Sequence, residues 1–192
     1  MKLFPLVFFL FYSLFAFSAD EIVLKDGSKL TLKTNSFKVN FSENSITYQT
    51  LSSSKEQSLS FKDFDYVIAG VNKFQTFNLE GSSSVEGYFV LAESNSKKLI
   101  FRSIYNPDGS IARFIFHILN ENLQILDSHF FDAGSSKKSV DVRAEIYLKI
   151  RHYFSTCTEM MKRLEVYDMN AAESNHVRIL LFFKSPMYYK CN

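Results

Sequence analysis

The sequence predicts an α+β fold: a mainly antiparallel β body with a C-terminal helical segment packed on it. Three observations carry this. From Ile22 to about Ala133, apolar residues recur at every second position, and turn residues punctuate the runs. After Ser135 the apolar period changes to three or four. Abundant Phe, Ile and Val with no Trp suits pleated, half-buried surfaces.

The elements follow in order. "EIVLKDGSKLTLKT" holds two alternating runs around Asp26-Gly27, a hairpin signal because both turn residues are expected to take positive φ. "SFKVNFS" places Phe37, Val39 and Phe41 on one face, and "SITYQT" follows across Glu43-Asn44. "LSSSKEQS" is polar and aperiodic, and reads as a loop. "LSFKDFDYVIAG" is the next strand region, ending at Gly70. "KFQTFNL" and "GYFVLAES" flank the Gly/Ser loop "EGSSSVEG". "KKLIFRSIY" and "IARFIFHIL" flank "NPDGS", and "NLQILDSHFFDA" is one more strand. The two "DGS" turns have different flanks, so they are recurring turn chemistry and not a repeat.

Beyond Ser135, Val142, Ile146, Ile150, Tyr153, Cys157, Met160 or Met161, and Leu164 form one helical stripe. Ile146, Ile150 and Tyr153 should dock on the β body, and Lys149 should lie off that face. Ser155-Thr156 breaks the stripe into two helices, and Thr156 with Glu159 has capping-box spacing. "HVRILLFFK" is short and continuously apolar, which predicts a buried strand before the terminal "MYYKC".

"MKLFPLVFFLFYSLFAFSAD" has a charged Lys2, an apolar run from Leu3 to Phe17, and small residues at Ala16 and Ser18. This is the layout of a signal peptide cleaved after Ser18, and the run is too short for a membrane anchor. The expected organisation is residues 1–18 as signal peptide, 19–135 as the β-rich body, and 136–192 as a helical segment plus terminal strand of the same domain. The address is export, periplasmic or extracellular. Without Lys2 the chain carries 21 basic and 20 acidic residues, which argues against a nucleic-acid partner. Residues 19–136 hold 11 basic and 14 acidic groups and residues 137–192 hold 10 and 6, so two complementary parts facing each other are expected.

The segments "DEIVLKDGSKLTLK" and "KIRHYFSTC" carry a resemblance. With Asp20, Ile22, Leu24 to Ser28, Tyr153, Phe154 and Cys157, the chain resembles a loose group of small exported β-rich proteins from Bacteroidetes-type bacteria. That resemblance implies an envelope address and assigns no chemistry.

Reactive constellations are scarce. There is no Gly-x-Ser-x-Gly, His-Glu-x-x-His, Cys-x-x-Cys or phosphate loop, and no cofactor is expected. Asp127 and His129 share a strand face and are the best metal candidate, but no third ligand is evident, and a surface or hydrogen-bonded histidine is the simpler reading. His117, opposite Phe114 and Phe116, reads as a half-exposed strand residue, and no histidine is given a catalytic role. Asp63 and Asp65 read as a solvated strand face. Phe130-Phe131 and Phe182-Phe183 could line an apolar pocket, but core is the expected place. Asn40-Phe41-Ser42 is a glycosylation sequon of consequence only in a eukaryotic host. Cys157 has three readings: a helix-start thiol with His152 as base, a small buried residue, or one half of a disulfide. Two cysteines in an exported chain favour the third, so Cys157 and Cys191 are expected to pair. The function read from this is a non-enzymatic exported binding or structural module of the cell envelope, with its partner unknown. The alternative is a hydrolase whose site is assembled from distant strands.

Overall fold

In the computed structural model the described residues are 20–132, 137–166 and 182–191, with backbone alone for 137–144. The expected signal peptide, residues 1–18, lies outside them. The strands are β1 (Glu21–Leu24), β2 (Lys29–Thr31), β3 (Lys38–Asn40), β4 (Ser45–Thr50), β5 (Ser53–Ser60), β6 (Phe64–Ala69), β7 (Asn72–Phe77), β8 (Glu86–Glu93), β9 (Lys97–Tyr105), β10 (Ile111–Asn120) and β11 (Ile125–Asp132). Helices α1 (Lys137–Tyr153) and α2 (Thr158–Glu165) and a short strand β12 (Tyr189–Lys190) complete the order. The α+β class, a β body with a helical cover, is therefore the observed one.

One large sheet runs β11-β10-β9-β8-β7-β6-β1-β2, and a small sheet runs β3-β4-β5. From β6 to β11 every neighbour is also the next strand in sequence, so short turns suffice to build the meander. The turns differ from the sequence expectation in one respect. Gly27 and Gly109 take φ of 83° and 81°, while the aspartates before them stay at negative φ. Gly27 N donates to Leu24 O and Leu24 N donates to Ser28 O, which is a type I turn closed by a left-handed residue. Asn106 to Ser110 repeats the pattern. Each aspartate instead accepts from the serine two residues on, through Ser28 N and Ser110 N at 2.9 Å. Asn120 to Gln124 forms the same turn with Leu123 at φ 62°, a position where a side chain is strained.

"LSSSKEQS" is not a loop: most of it lies in β5, paired to β4 through Ser45↔Ser60, Ile46↔Leu59 and Tyr48↔Gln57. The strand is an edge held by backbone bonds, with side chains from Ser54 to Ser58 in solvent, so no hydrophobic period marks it.

Cross-strand register lays one row of side chains across the large sheet: Ile22, Val67, Phe74, Phe89, Phe101, Phe116 and His129. The small sheet covers one end of this face, packing Ile46, Tyr48 and Phe61 on Ile22, Phe64, Val67 and Phe74. The helices cover the other end, where Ile146, Tyr147, Ile150, Phe154, Met160 and Leu164 meet Phe101, Phe114, Phe116 and Phe131. Ile146 and Ile150 are fully buried, each contributing about 1.5–3 kcal/mol before entropy. Gly87 is needed at the centre, because an added Cβ would run into the rings of Phe74 and Phe61.

The helix break falls at residues 154–157, as the sequence indicates, but the capping box does not form. Cys157 is the residue preceding α2, and no side chain caps it. "HVRILLFFK" is corrected where described: residues 182–184 are a helical turn that buries Phe182 and Phe183 against the sheet. Two adjacent buried aromatics read equally as strand or helix, and length alone misassigned them. Residues 176–181 lie outside the described ones. Among the described residues, no helix is long and apolar enough to cross a membrane.

Candidate functional site

The opposite face of the large sheet carries a cluster of buried side chains of its own. Its apolar residues are Phe77, Leu79, Tyr88, Val90, Ile100, Ile115 and Leu119. Polar groups are set among them. Arg102 pairs with Ile115 and His117 with Ile100 across β9 and β10, so arginine and imidazole both project onto this face. Glu86 and Tyr88 lie two apart on β8 and share it.

These four side chains meet. Arg102 Nη1 donates to Glu86 Oε1 at 3.1 Å, and Tyr88 Oη donates to Glu86 Oε2 at 2.8 Å. His117 Nε2 lies 3.5 Å from Tyr88 Oη, and the Arg102 guanidinium stands 5.7 Å over the Tyr88 ring. His117 is 6% exposed, which corrects the half-exposed expectation: the strand is buried on both faces from Phe114 to Leu119. Burial holds its pKa down at about 4, against a small opposing pull from Glu86. Burial, with Glu86 beside it, pushes the Tyr88 hydroxyl well above its ordinary range. His117 Nδ1 and Arg102 Nε are buried without a hydrogen-bond partner.

A cavity of about 400 Å³ opens beside them. It is open to solvent and lined by Tyr88, His117 and Glu86, by Ile115, Ile125 and Phe130, and by the loop at residues 79–84. Leu79 anchors that loop at 4% exposure, and Gly81 at φ 83° lets Ser82 N turn back to Leu79 O. A larger groove, about 650 Å³, lies between β3 and the end of β9. Apart from Ser103 its walls are half-buried or exposed residues, such as Phe41 and Tyr105.

The other sequence candidates find different places. Asp127 and His129 do converge, but Lys149 sits between them. Its Nζ is 2.7 Å from Asp127 Oδ1, 2.6 Å from His129 Nε2 and 3.0 Å from Glu145 Oε1. An ammonium stands where a cation would, and the cluster clamps α1 to β11. Burial opposes the charge on Asp127, but Lys149 outweighs it and lowers the carboxyl pKa. Lys149 is thus a docking residue, contrary to the expectation that it lies off the docking face. Its pair with Asp127 is one ion pair joining the two unlike-charged parts. Among the described residues, no group of three or more His, Cys, Asp or Glu side chains is arranged to hold a metal. His152 is exposed and stacks edge-on against Tyr153, while His176 lies outside the described residues. Asp65 pairs with Lys25. Phe131, Phe182 and Phe183 are core, whereas Phe130 is 57% exposed at the cavity rim. Ser42 Oγ donates to Asn40 Oδ1 within the sequon.

Cys157 and Cys191 lie at disulfide distance, with Sγ atoms 2.00 Å and Cα atoms 5.0 Å apart. The same region holds a cluster the sequence reading missed. Glu93 pairs with Lys73 and Lys98, and Tyr188 Oη donates to it at 3.0 Å. Burial pushes the Glu93 carboxyl up, but the two lysines overcome this and hold it at about 2. Strand β12 runs parallel to the end of β8, with Tyr189 opposite Ala92 and Cys191 N donating to Glu93 O at 2.7 Å. A register shift between Val90 and Ala92 brings Glu93 onto the polar face; strict alternation would have sent it among the phenylalanines.

No family model, curated protein or solved structure matches this chain.

Proposed function

We propose that this chain is a non-enzymatic binding module of the cell envelope, exported to the periplasm or beyond, which holds a small ligand in the cavity lined by Tyr88, His117 and loop 79–84. The observation that carries the reading is the state of the cavity wall. Glu86 in that wall is neutralised by Arg102, yet His117 Nδ1 is left buried and unpaired. A buried polar atom without a partner costs about 1–3 kcal/mol, and that cost is recovered when an occupant supplies the partner. A cavity of this size falls within the range of small-molecule sites. The signal-peptide layout read in residues 1–18 and the close cysteine pair support the oxidising compartment.

The hydrolase alternative needs a base poised near neutral pH. His117, held at about 4, is a poor one, although Ser82, Ser83 and Ser84 line the same cavity. The test uses the chain from Ala19 onward, recovered from the envelope and checked by intact mass. Soluble envelope extracts are passed over it, retained small molecules are identified, and both retention and turnover are measured. Retention without turnover, abolished by Ile115→Trp, supports the module. Turnover lost in His117→Gln with the fold intact would establish the hydrolase.

A further inference from the structure

The walls of the cavity restrict what chemistry fits. Resting on the binding reading above, we infer that the occupant is an uncharged, hydroxyl-bearing ring compound of about monosaccharide size. Its apolar face would lie on Phe130 and Ile125, and its hydroxyls would meet His117, Tyr88 and the loop serines.

Charge gives the first restriction. The lining includes Glu80 and Glu86 and no lysine or arginine, so an anion has no counter-ion there. A cation fares little better. Both Glu86 oxygens are engaged, by Arg102 and by Tyr88, and Glu80 is exposed on the loop, where water screens it. A charged ligand would lose its hydration without gaining a buried partner, and a hydroxyl loses far less.

Proton placement gives the second. Tyr88 spends its one hydroxyl proton on Glu86, so its oxygen is left as an acceptor toward His117. A neutral imidazole satisfies that acceptor by carrying its proton on Nε2, which leaves Nδ1 as a lone pair. Nδ1 is buried and unpartnered in a residue that is itself 6% exposed and lines the cavity. It wants a donor; it is out of solvent contact as the ring stands, so the ring must turn for an occupant's hydroxyl to supply one. The third restriction is shape. Phe130 and Ile125 make an exposed apolar ledge beside the polar groups, on the same face of the sheet. A saturated ring with apolar C–H edges and peripheral hydroxyls matches both.

The experiment titrates the mature chain with matched sugars: methyl glucoside, methyl galactoside and N-acetylglucosamine as neutral probes, glucosamine as the cation and glucuronate as the anion. Ligand-observed NMR reads binding, and the ¹⁵N shifts of His117 read the site. At least one neutral probe is expected to bind roughly ten-fold more tightly than either charged one, the equivalent of one buried hydrogen bond. It should move the His117 Nδ1 resonance. His117→Gln should lose about ten-fold in affinity. Phe130→Ala, at a side chain too exposed to threaten the fold, should also lose binding. Equal or tighter binding of glucosamine or glucuronate with His117 shifted would overturn the ligand class and leave the cavity as a binding site. If neither these sugars nor a fragment set of amines, acids and apolar rings moves His117, the cavity is no binding site and both readings fall.

Discussion

The two ends of β8 are built from the same parts and finish differently. Each end carries a glutamate that accepts from a tyrosine hydroxyl and pairs with a cation from a neighbouring strand. At the Glu93 end a second lysine joins, the tyrosine arrives from the segment before β12, and the cysteine pair fixes that segment in place. At the Glu86 end the partner supply stops short, leaving an imidazole and a guanidinium nitrogen unpaired, the imidazole in a residue that lines an open cavity. A saturated polar cluster holds a fold together; an unsaturated one on the same strand is where a ligand has something to add.

The sharpest way to break this contrast is to neutralise each glutamate. Glu93→Gln strands two mostly buried lysines and should cost about 3–5 kcal/mol in urea unfolding. Glu86→Gln leaves a single cation, Arg102, without its counter-ion and should cost about 1–3 kcal/mol, less than the loss at Glu93, with a further effect on ligand binding. Equal losses would erase the distinction. Opening the cysteine pair tests the strap at the Glu93 end. Cys157→Ser and Cys191→Ser should each cost about 3 kcal/mol for a loop with sequence separation 34, and the double mutant little more. Additive losses would show that the two residues act separately.

Acid separates the ends by pH. His117 has a folded pKa of about 4, below its unfolded 6.5, so the unfolded state binds more protons between those values. Stability from keeping it neutral is complete above about pH 6.5 and is lost, by up to about 3 kcal/mol, as pH falls to 4. Glu93 is depressed from 4.5 to about 2, so its contribution is present above 4.5 and lost as pH falls through 2. His117→Gln should remove the upper window alone, read from unfolding midpoints at stepped pH. The smallest effect is a gain. Leu123→Gly relieves a left-handed side chain in the β10–β11 turn and should add about 0.5–1 kcal/mol without altering the cavity.

Much of the fold could be read before the structure, because alternation and turn residues are local. Phe37, Val39 and Phe41 share a face as their spacing requires, and Ile146, Ile150 and Leu164 are buried as theirs does. What escaped was non-local. Strand β5 is held by its neighbour's backbone, which leaves no side-chain period. Glu93 changes face through a bulge that no composition marks. The Lys149 cluster needs a helix packed on a strand. The cavity had one legible trace. "KLIFRSI" and "RFIFHIL" are apolar on both faces, and an arginine or histidine inside such a strand must be buried and must find partners. Which partners, and that one atom of each residue would lack any, depended on the register of three strands.

Phe89 stands between the two covers. It packs against the cluster under the small sheet and against the one under the helices, with ring centroids 5.2 Å from Phe74 and 5.5 Å from Phe101. A single side chain shared by both clusters couples their melting. The small sheet should not dissolve while the helical side stands, and calorimetric and van't Hoff enthalpies should agree. Phe89→Ala removes the shared ring and should turn one sharp heat-absorption peak into two overlapping ones. Cooperativity across the whole chain would then hang on the mid-strand residue that belongs to neither side alone.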